Sequence, residues 1–290
     1  MRVLITADLH YDIQRSRDPC RRLAEEVCRL GGDALVLVGD TGAADLGPFR
    51  ECLSLFAGFA GRKLLVPGNH CLWCSSDAGS MERYEHLLPA AAAEEGFHVL
   101  DHGPVVLEKV GLVGSIGWYD YSLKDESLGI PEAFYRAKIA PGAAHCTGEQ
   151  AELIEAHRGR LTDRQLAIVS RWMDGRYVRL GMSDEEFVAL LTDKLARQLE
   201  ELSPRVDRIV AFVHHLPFRD LVPQGRPDRF AFAAAFMGSE RIGRALLACG
   251  KVAYVYCGHS HSPGRRQIGH LTVVNVGSTY TRKHLEILEL

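Results

Sequence analysis

Asp, Asn and His residues directly follow five apolar stretches of the sequence. The five segments are RVLITADLH, ALVLVGD, KLLVPGNH, RIVAFVHH and KVAYVYCGHSH, ending in Asp8 and His10, Asp40, Asn69 and His70, His214 and His215, and His259 and His261. Six of the 13 histidines of the chain lie in these segments. Carboxylate and imidazole groups without a thiolate are typical ligands of first-row metal ions such as Mn, Fe and Zn. The five segments therefore predict a metal site.

Each of these residues also has a simpler explanation when it is taken alone. Asp8 and Asp40 have the residue type of a helix N-cap or a turn, and Asn69 after Gly68 is typical of a turn. His214 and His215 fit buried, hydrogen-bonded histidines. The five coincidences together are improbable, so the metal site is the favoured interpretation.

Alternating strands and helices in the first hundred residues explain how these side chains could meet. RVLIT, DALVLVG and KLLVPG are expected strands, and residues 18–30 and 47–61 are expected helices. This order is typical of a parallel sheet covered by helices. Ligands of open α/β sheets collect at the carboxyl ends of the strands, which is where the Asp, Asn and His residues lie.

The predicted secondary structure changes in the second third of the chain. Residues 98–120 predict antiparallel strands broken by Gly and Pro, and residues 161–175 and 183–202 predict helices with Thr162 and Ser183 as N-caps. Ser183 has Glu186 three residues later, the pattern of a capping box. We interpret residues 123–204 as a helical insertion within one domain that spans residues 1–290. Strands return at RIVAFV, KVAYVYCG, LTVVNVG and HLEILEL.

Composition limits the class of protein. The chain has 290 residues and a formal net charge of −3, which argues against bulk electrostatic binding to nucleic acid. No apolar run approaches the roughly 20 residues of a membrane span, and no secretory signal is visible, so we expect a cytoplasmic protein without a membrane partner. Most of the eight cysteines are expected to be reduced. Cys71 and Cys74 have C-x-x-C spacing, for which packing is favoured over redox chemistry or metal binding.

The ordered motifs D-x-H, G-D, G-N-H, H-H-x-P and G-H-x-H resemble those of the calcineurin-like metallophosphoesterase superfamily. They span residues 8 to 261. The resemblance implies an α/β fold, a four-layer sandwich of two mixed β-sheets flanked by helices, with a dinuclear metal centre.

The resemblance also implies residue roles. One metal would be held by Asp8, His10 and His261, the other by Asn69, His214 and His259, and Asp40 would bridge the two. His70 would stabilise the phosphoryl oxygens or protonate the leaving group. The two ions would be Mn, Fe, Zn or Ni, of which Mn or Fe is expected. Gly39, Gly68 and Gly258 would allow the close backbone approach that such a crowded site needs.

The chain departs from the family pattern in two places. Many relatives have Asp or Glu after G-N-H, where this chain has Cys71, and that acidic residue often orients the catalytic histidine. His214 and His215 compete for one ligand position; we favour His214, and His215 could face the substrate. Trp118 and Tyr119, in a WYDY stretch similar to one in bacterial relatives, could stack a base or sugar, and core packing is equally consistent with them.

We therefore predict a metal-dependent phosphoesterase in which a hydroxide between two metals attacks a phosphodiester or phosphomonoester. The expected substrate is a small phosphate ester such as a nucleotide. A nuclease of the same fold is the alternative, although no basic groove is evident, and nucleic acid is less favoured as a substrate. A non-catalytic protein-binding scaffold is the alternative from another class. The oligomeric state is not predicted.

Overall fold

The computed structural model describes residues 1–43, 45–74 and 79–290, and the statements below concern these residues. The strands are β1 (Arg2–Thr6), β2 (Ala34–Val38), β3 (Arg62–Val66), β4 (Phe97–Val99), β5 (Val105–Leu107), β6 (Val110–Ser115), β7 (Arg208–Val213), β8 (Val252–Cys257), β9 (Gly264–Ile268), β10 (Leu271–Asn275) and β11 (Glu286–Glu289).

The helices lie mainly between the strands and in the region between β6 and β7. They are α1 (Gln14–Leu30), α2 (Leu46–Ser54), α3 (Ser80–Glu82), α4 (Leu88–Glu94), α5 (Glu132–Arg136), α6 (Pro141–Thr147), α7 (Ala151–Ala156), α8 (Asp163–Leu166), α9 (Asp174–Tyr177), α10 (Asp184–Leu202), α11 (Asp228–Ala233) and α12 (Glu240–Ala248). None of the described helices is long and apolar enough to cross a lipid bilayer.

The strands form two mixed sheets, as the sequence predicts. The first has the order β11-β1-β2-β3-β4, in which only β11 is antiparallel to its neighbour. The second has the order β5-β6-β7-β8-β10-β9, with antiparallel pairs at both edges and parallel pairs between them.

Strand side chains alternate between two layers of the core. In β1, Val3 and Ile5 face the second sheet and pack in a cluster with Val210 and Phe212 of β7. Leu4 points the opposite way and packs in a cluster that includes α1. A third cluster packs β7 and β8 against α10 and α12. Helices therefore cover the outer face of each sheet, which gives the predicted four-layer sandwich.

Several elements differ from the sequence prediction. The helix α1 begins at Gln14 and not at residue 18. The prediction missed its first turn because the residues there are polar and show no apolar periodicity. The helix α2 ends at Ser54 and is followed by turns up to the next strand. β4 pairs with β3 in parallel, so only β5 and β6 form the expected antiparallel hairpin. The edge strand β9 was not predicted, because GRRQI has no apolar alternation.

The predicted helix over residues 161–175 is wrong for most of its length. Only α8 and the start of α9 are helical within it, although Thr162 forms a capping box with Gln165 as expected. Arg171 instead pairs with Ile139 in an isolated bridge, and Trp172 stacks on Phe236 with ring centroids 5.1 Å apart. Tertiary packing of these side chains overrides the local helical pattern. The long helix α10 forms as predicted, capped by Ser183 and Glu186.

Candidate metal centre

The structure brings the Asp, Asn and His residues of the five segments to one place. β1, β2 and β3 are parallel neighbours in the first sheet, and β7 and β8 are parallel neighbours in the second. Their carboxyl ends lie at the same edge of the sandwich. The segments that leave these strands converge there, and imidazole nitrogens from the two sheets lie within 3.3 Å of each other.

An unusual backbone conformation aims these side chains inward. Positive φ angles, which side-chain-bearing residues rarely adopt, occur at Asp8 (56°), His10 (44°), Asp40 (47°), His259 (69°) and His261 (53°). Each costs of order 1–3 kcal/mol and persists only where the surrounding structure holds it, and such residues cluster at functional sites. The concentration of strained residues at this edge therefore points to function.

Glycines make room for the converging side chains, as the sequence predicts. A Cβ at Gly39, where φ is 85°, would overlap the ring of His214. A Cβ at Gly68 would overlap the Asp40 carboxylate and backbone, and one at Gly258 would lie 2.6 Å from Asp8 Oδ2. Each glycine thus lets a candidate ligand approach the backbone of a neighbouring loop.

Asp8, His10 and His261 form one group that could hold a metal ion. Their ligand atoms lie within 4.8 Å of one another. His10 Nε2 is 3.3 Å from His261 Nε2, and His261 Nε2 is 3.8 Å from Asp8 Oδ1. Asp8 and His10 are fully buried, whereas His261 is partly exposed.

Asp40, His214 and His259 form a second group. His214 Nε2 lies 3.2 Å from His259 Nδ1 and 3.4 Å from Asp40 Oδ2. Asn69 belongs to the same cluster, because its Oδ1 lies 3.4 Å from His214 Nε2. The residues expected from the family resemblance to hold the second metal are therefore together.

Asp40 lies between the two groups. Its Oδ2 is 3.5 Å from His10 Nε2 of the first group and 3.4 Å from His214 Nε2 of the second. Burial acts to raise the pKa of this carboxyl, but the imidazoles of His214, His70 and His10 outweigh it and hold the pKa well below its usual range. Asp40 is within 3.5 Å of an imidazole nitrogen of each group.

Burial and the Asp40 charge act differently on the pKa values of the other groups. Burial raises the pKa of Asp8 and lowers those of His10 and His259. For His214, burial acts to lower the pKa, but the Asp40 carboxylate raises it to about 9. A metal-binding imidazole must be neutral. The lowered pKa values of His10 and His259 favour the neutral form that a ligand needs.

The donor set fits a pair of first-row metal ions. In the part of the chain that the structure describes, Asp8 Oδ2 is buried without a hydrogen-bond partner. Imidazole nitrogens also lie 3.2–3.3 Å apart, a distance that suits either an N–H···N hydrogen bond or two ligands of one cation. Carboxylate, imidazole and amide oxygen ligands suit Mn, Fe or Zn.

His70 lies at the edge of the centre and is half-buried. Its backbone N–H donates to Asp40 Oδ1 at 2.9 Å, and its ring stacks on Trp73 with centroids 3.8 Å apart. His70 also forms a third candidate metal group with His10 and Asp40. Its ring is therefore within reach of whatever binds at the centre.

His214 and His215 point to different places. His214 faces Asp40 and Asn69, whereas His215 Nδ1 lies 2.9 Å from the carbonyl oxygen of Ile116. The ring of His215 packs 4.2 Å from that of His259, and burial together with His214 lowers its pKa to about 3. The placement favours His214 as the ligand and leaves His215 as a neutral, buried neighbour of the centre.

The aromatic and thiol pocket candidates are buried in the core. Trp118 and Tyr119 are both 0% exposed, and each donates a hydrogen bond to a carboxylate, Trp118 Nε1 to Asp184 and Tyr119 OH to Asp174. Cys71 is also fully buried, and burial followed by the Asp40 charge raises its pKa to about 11. Packing, and not substrate stacking, is the arrangement seen for these three residues.

Other residues near the centre were not singled out from the sequence. Tyr280 packs edge-on against His10 at 5.0 Å and His261 at 5.2 Å, and its face is covered by the guanidinium of Arg15. It follows β10, so the rule that function collects at strand ends could have found it. Asp174 accepts a hydrogen bond from Asn69 Nδ2 at 2.9 Å. No motif in the sequence marks Asp174.

A cleft of about 260 Å³ opens beside His261. Its walls are mostly apolar, and Arg226 donates to Ser262 at its edge. The lining residues are Val222, Pro223, Arg226, Phe230, Ala233, Ala234, Met237, Ser260, His261 and Ser262. His261 therefore belongs both to the first ligand group and to the wall of the cleft.

The chain belongs to the calcineurin-like phosphoesterase family, whose model matches residues 1–263. No protein with a curated description matches the chain by sequence. This family membership and the sandwich of two mixed sheets confirm the resemblance stated from the motifs.

Several solved structures have a similar fold. Phosphopantetheinyl hydrolase from Mycobacterium tuberculosis is 18% identical with a TM-score of 0.66, and the match covers 96% of this chain and 89% of that one. A dimetal phosphatase from Danio rerio is 16% identical with a TM-score of 0.52, covering 96% and 87%. The protein TT1561 of Thermus thermophilus is 12% identical with a TM-score of 0.53, covering 97% and 90%. At these identities the likeness concerns the fold.

Proposed function

We propose that this protein hydrolyses a small phosphate ester with the help of two metal ions. The observation that carries the proposal is the pair of ligand groups with one buried carboxylate, Asp40, in contact with both. Membership of the phosphoesterase family supports the reaction type. Two bound cations supply an activated water as nucleophile and neutralise charge on the phosphoryl group.

The residues of the chain divide the work as follows. Asp8, His10 and His261 hold one ion, and Asn69, His214 and His259 hold the other, with Asp40 between them. The ligand set favours Mn or Fe over harder ions such as Mg. His70 faces the reacting phosphate, where it stabilises developing negative charge or gives a proton to the leaving group.

The orientation of His70 has an unusual origin. Where many relatives have an acidic residue after G-N-H, this chain has Cys71, which is buried and carries a thiol of raised pKa. His70 is instead held by stacking on Trp73 and by edge contact with His10, whose centroid is 4.6 Å away. Aromatic contacts thus support the ring of His70.

We propose that the alcohol part of the substrate extends into the cleft beside His261. The apolar walls of the cleft fit an uncharged or aromatic group. Its volume of about 260 Å³ is just below the usual range of ligand pockets, about 300–1,000 Å³. A compact ester is therefore favoured over a nucleic-acid chain.

A substrate panel tests the proposal. Protein reconstituted with Mn²⁺ is assayed with p-nitrophenyl phosphate, bis(p-nitrophenyl) phosphate, a nucleoside monophosphate, a phosphopantetheinyl ester and single-stranded DNA. The phosphopantetheinyl ester is included because the M. tuberculosis neighbour bears that name. Hydrolysis of at least one small ester, lost on chelation and restored by Mn²⁺, is the expected result. Faster cleavage of DNA than of every small ester would favour the nuclease alternative.

A substitution in the cleft tests the position of the alcohol. Ala233→Leu adds volume to a wall residue of the cleft that is not itself a candidate ligand. We expect KM to rise for bis(p-nitrophenyl) phosphate and to stay unchanged for methyl phosphate, because only the larger ester reaches that wall. Equal effects on both esters would contradict this placement.

A further inference from the structure

Asp174 is a buried carboxylate in the region between β6 and β7, at the start of α9, and is 1% exposed. Its two oxygens accept four hydrogen bonds. Oδ1 accepts from Asn69 Nδ2 at 2.9 Å and from Trp73 Nε1 at 2.7 Å. Oδ2 accepts from Tyr119 OH at 3.0 Å and from Trp172 Nε1 at 2.7 Å. The carboxylate is thus fully occupied as an acceptor.

The bond to Asn69 determines which end of the amide faces the metal centre. A side-chain amide has one acceptor end and one donor end, and only the oxygen end can bind a cation. Asp174 Oδ1 accepts a hydrogen bond from Asn69 Nδ2, so the nitrogen end of the amide faces Asp174. The oxygen end is then directed at the second ligand group, where Oδ1 lies 3.4 Å from His214 Nε2.

We propose that Asp174 is a positioning residue of the metal centre, which locks the Asn69 amide with its oxygen toward the second metal ion. The inference rests on the proposed function. Partners that orient metal ligands in this way are worth about 10–100-fold in metal affinity or activity.

The same carboxylate also supports His70. Trp73 donates its indole N–H to Asp174 and stacks its ring on His70 at 3.8 Å. Trp73 also contacts Tyr177 of α9, with ring centroids 4.9 Å apart. One carboxylate from the region between β6 and β7 therefore fixes both a candidate ligand and the platform of the candidate catalytic histidine.

Residues around Asp174 cover the second ligand group. Trp172 stands edge-on to His259, with ring centroids 5.7 Å apart, and is held by its bond to Asp174 Oδ2. We infer that this part of the helical region serves the metal centre directly, through Trp172, Asp174 and Tyr177.

Asp184 provides a matched control. It is a second buried carboxylate of the same region, it accepts from Trp118 Nε1 at 2.8 Å and from Tyr121 OH, and Lys138 Nζ donates to it at 2.5 Å. These three partners include none of the candidate metal ligands. Loss of Asp184 therefore removes comparable buried hydrogen bonds while leaving Asn69 in place.

The test measures Mn²⁺ binding in the full-length wild-type protein, Asp174→Ala, Asp174→Asn and Asp184→Ala. Metal-free protein is titrated with Mn²⁺, and the bound ions are followed by elemental analysis and by electron paramagnetic resonance. For the wild type and Asp184→Ala we expect two ions per chain and the signal of a coupled pair. For Asp174→Ala we expect the affinity for the second ion to fall about 10–100-fold, so that the signal of an isolated Mn²⁺ ion remains at concentrations that saturate the wild type.

Several outcomes would overturn the inference. Two ions bound to folded Asp174→Ala with wild-type affinity would do so, as would equal losses in Asp184→Ala. If Asp174→Ala does not fold, Asp174→Asn carries the test, because an amide cannot accept from both indole donors and Asn69 at once. If the wild type binds no Mn²⁺, the proposed function itself fails, and that result is distinct from unchanged binding in the variants.

Discussion

Replacement of Gly39 by Ala tests how closely the glycine after β2 packs against the candidate ligand His214. The new Cβ would overlap the ring nitrogen of His214 and lie 2.8 Å from its Cβ, closer than real side chains approach. His214 is fully buried, so its ring has no room to move outward. We therefore expect the ring to be displaced from Asp40 and Asn69.

The size of the effect can be estimated with a matched control. Gly148 also has a positive φ, 72°, but a Cβ there meets nothing within 4 Å. Gly148→Ala should therefore cost only the positive-φ penalty, about 1–2 kcal/mol. Gly39→Ala bears the same penalty plus overpacking of roughly 1–3 kcal/mol. The total for Gly39→Ala is about 2–5 kcal/mol of unfolding free energy.

Thermal unfolding and Mn²⁺ titration give two independent readouts. With about 2 °C per kcal/mol for a chain of this size, we expect Tm to fall by about 2–4 °C in Gly148→Ala and by about 4–10 °C in Gly39→Ala. Only Gly39→Ala should also bind Mn²⁺ more weakly. Equal Tm values and equal Mn²⁺ affinities in the two variants would show that Gly39→Ala does not displace the ring of His214.

Three further predictions concern other residues of the site and its surroundings. His70→Ala should lower kcat by about 10²–10⁴-fold with two Mn²⁺ ions still bound, and loss of metal instead would make His70 a ligand. Trp118→Phe should lower the free energy of unfolding by about 1 kcal/mol through the lost hydrogen bond to Asp184 and leave kcat and KM unchanged. A raised KM would indicate that Trp118 contacts the substrate. Oxidants should leave the activity of the wild type and of Cys71→Ser equally unchanged, because the thiol is buried and its pKa is raised to about 11. If oxidants changed the activity of the wild type alone, Cys71 would have a redox role.

The candidate ligands were predictable because their signal is local. Each follows a strand whose apolar run is visible in the sequence, and parallel strands bring their carboxyl ends to one edge. The placement of Asp8, Asp40 and His259 in one cluster follows from that rule once the strands are recognised. The strand pairing within each sheet confirms the predicted class of fold.

The support of the site was not predictable in the same way. Asp174 lies more than a hundred residues from Asn69, in a stretch whose helical pattern is overridden by the packing of Trp172. Tyr280 reaches His261 from the loop after β10. Such contacts depend on how loops from distant parts of the chain meet, which propensity and periodicity do not encode.

The same limit explains the Trp118 and Tyr119 alternatives. From the sequence, an aromatic pair at the end of a strand fits both a stacking wall and the core. Their burial is determined by two carboxylates, Asp184 and Asp174, which lie 66 and 55 residues later and accept their polar hydrogens. A buried indole or phenol needs such a partner, and only the three-dimensional structure identifies it.

The most direct test of the central claim compares the wild type with Asp40→Ala. Both proteins are freed of metal and reconstituted with Mn²⁺, and bound metal and hydrolysis of bis(p-nitrophenyl) phosphate and p-nitrophenyl phosphate are measured on the same samples. Because Asp40 lies between the two ligand groups, we expect two ions and hydrolysis in the wild type, and loss of both in folded Asp40→Ala. Undiminished hydrolysis by Asp40→Ala, or by metal-free wild type, would contradict it.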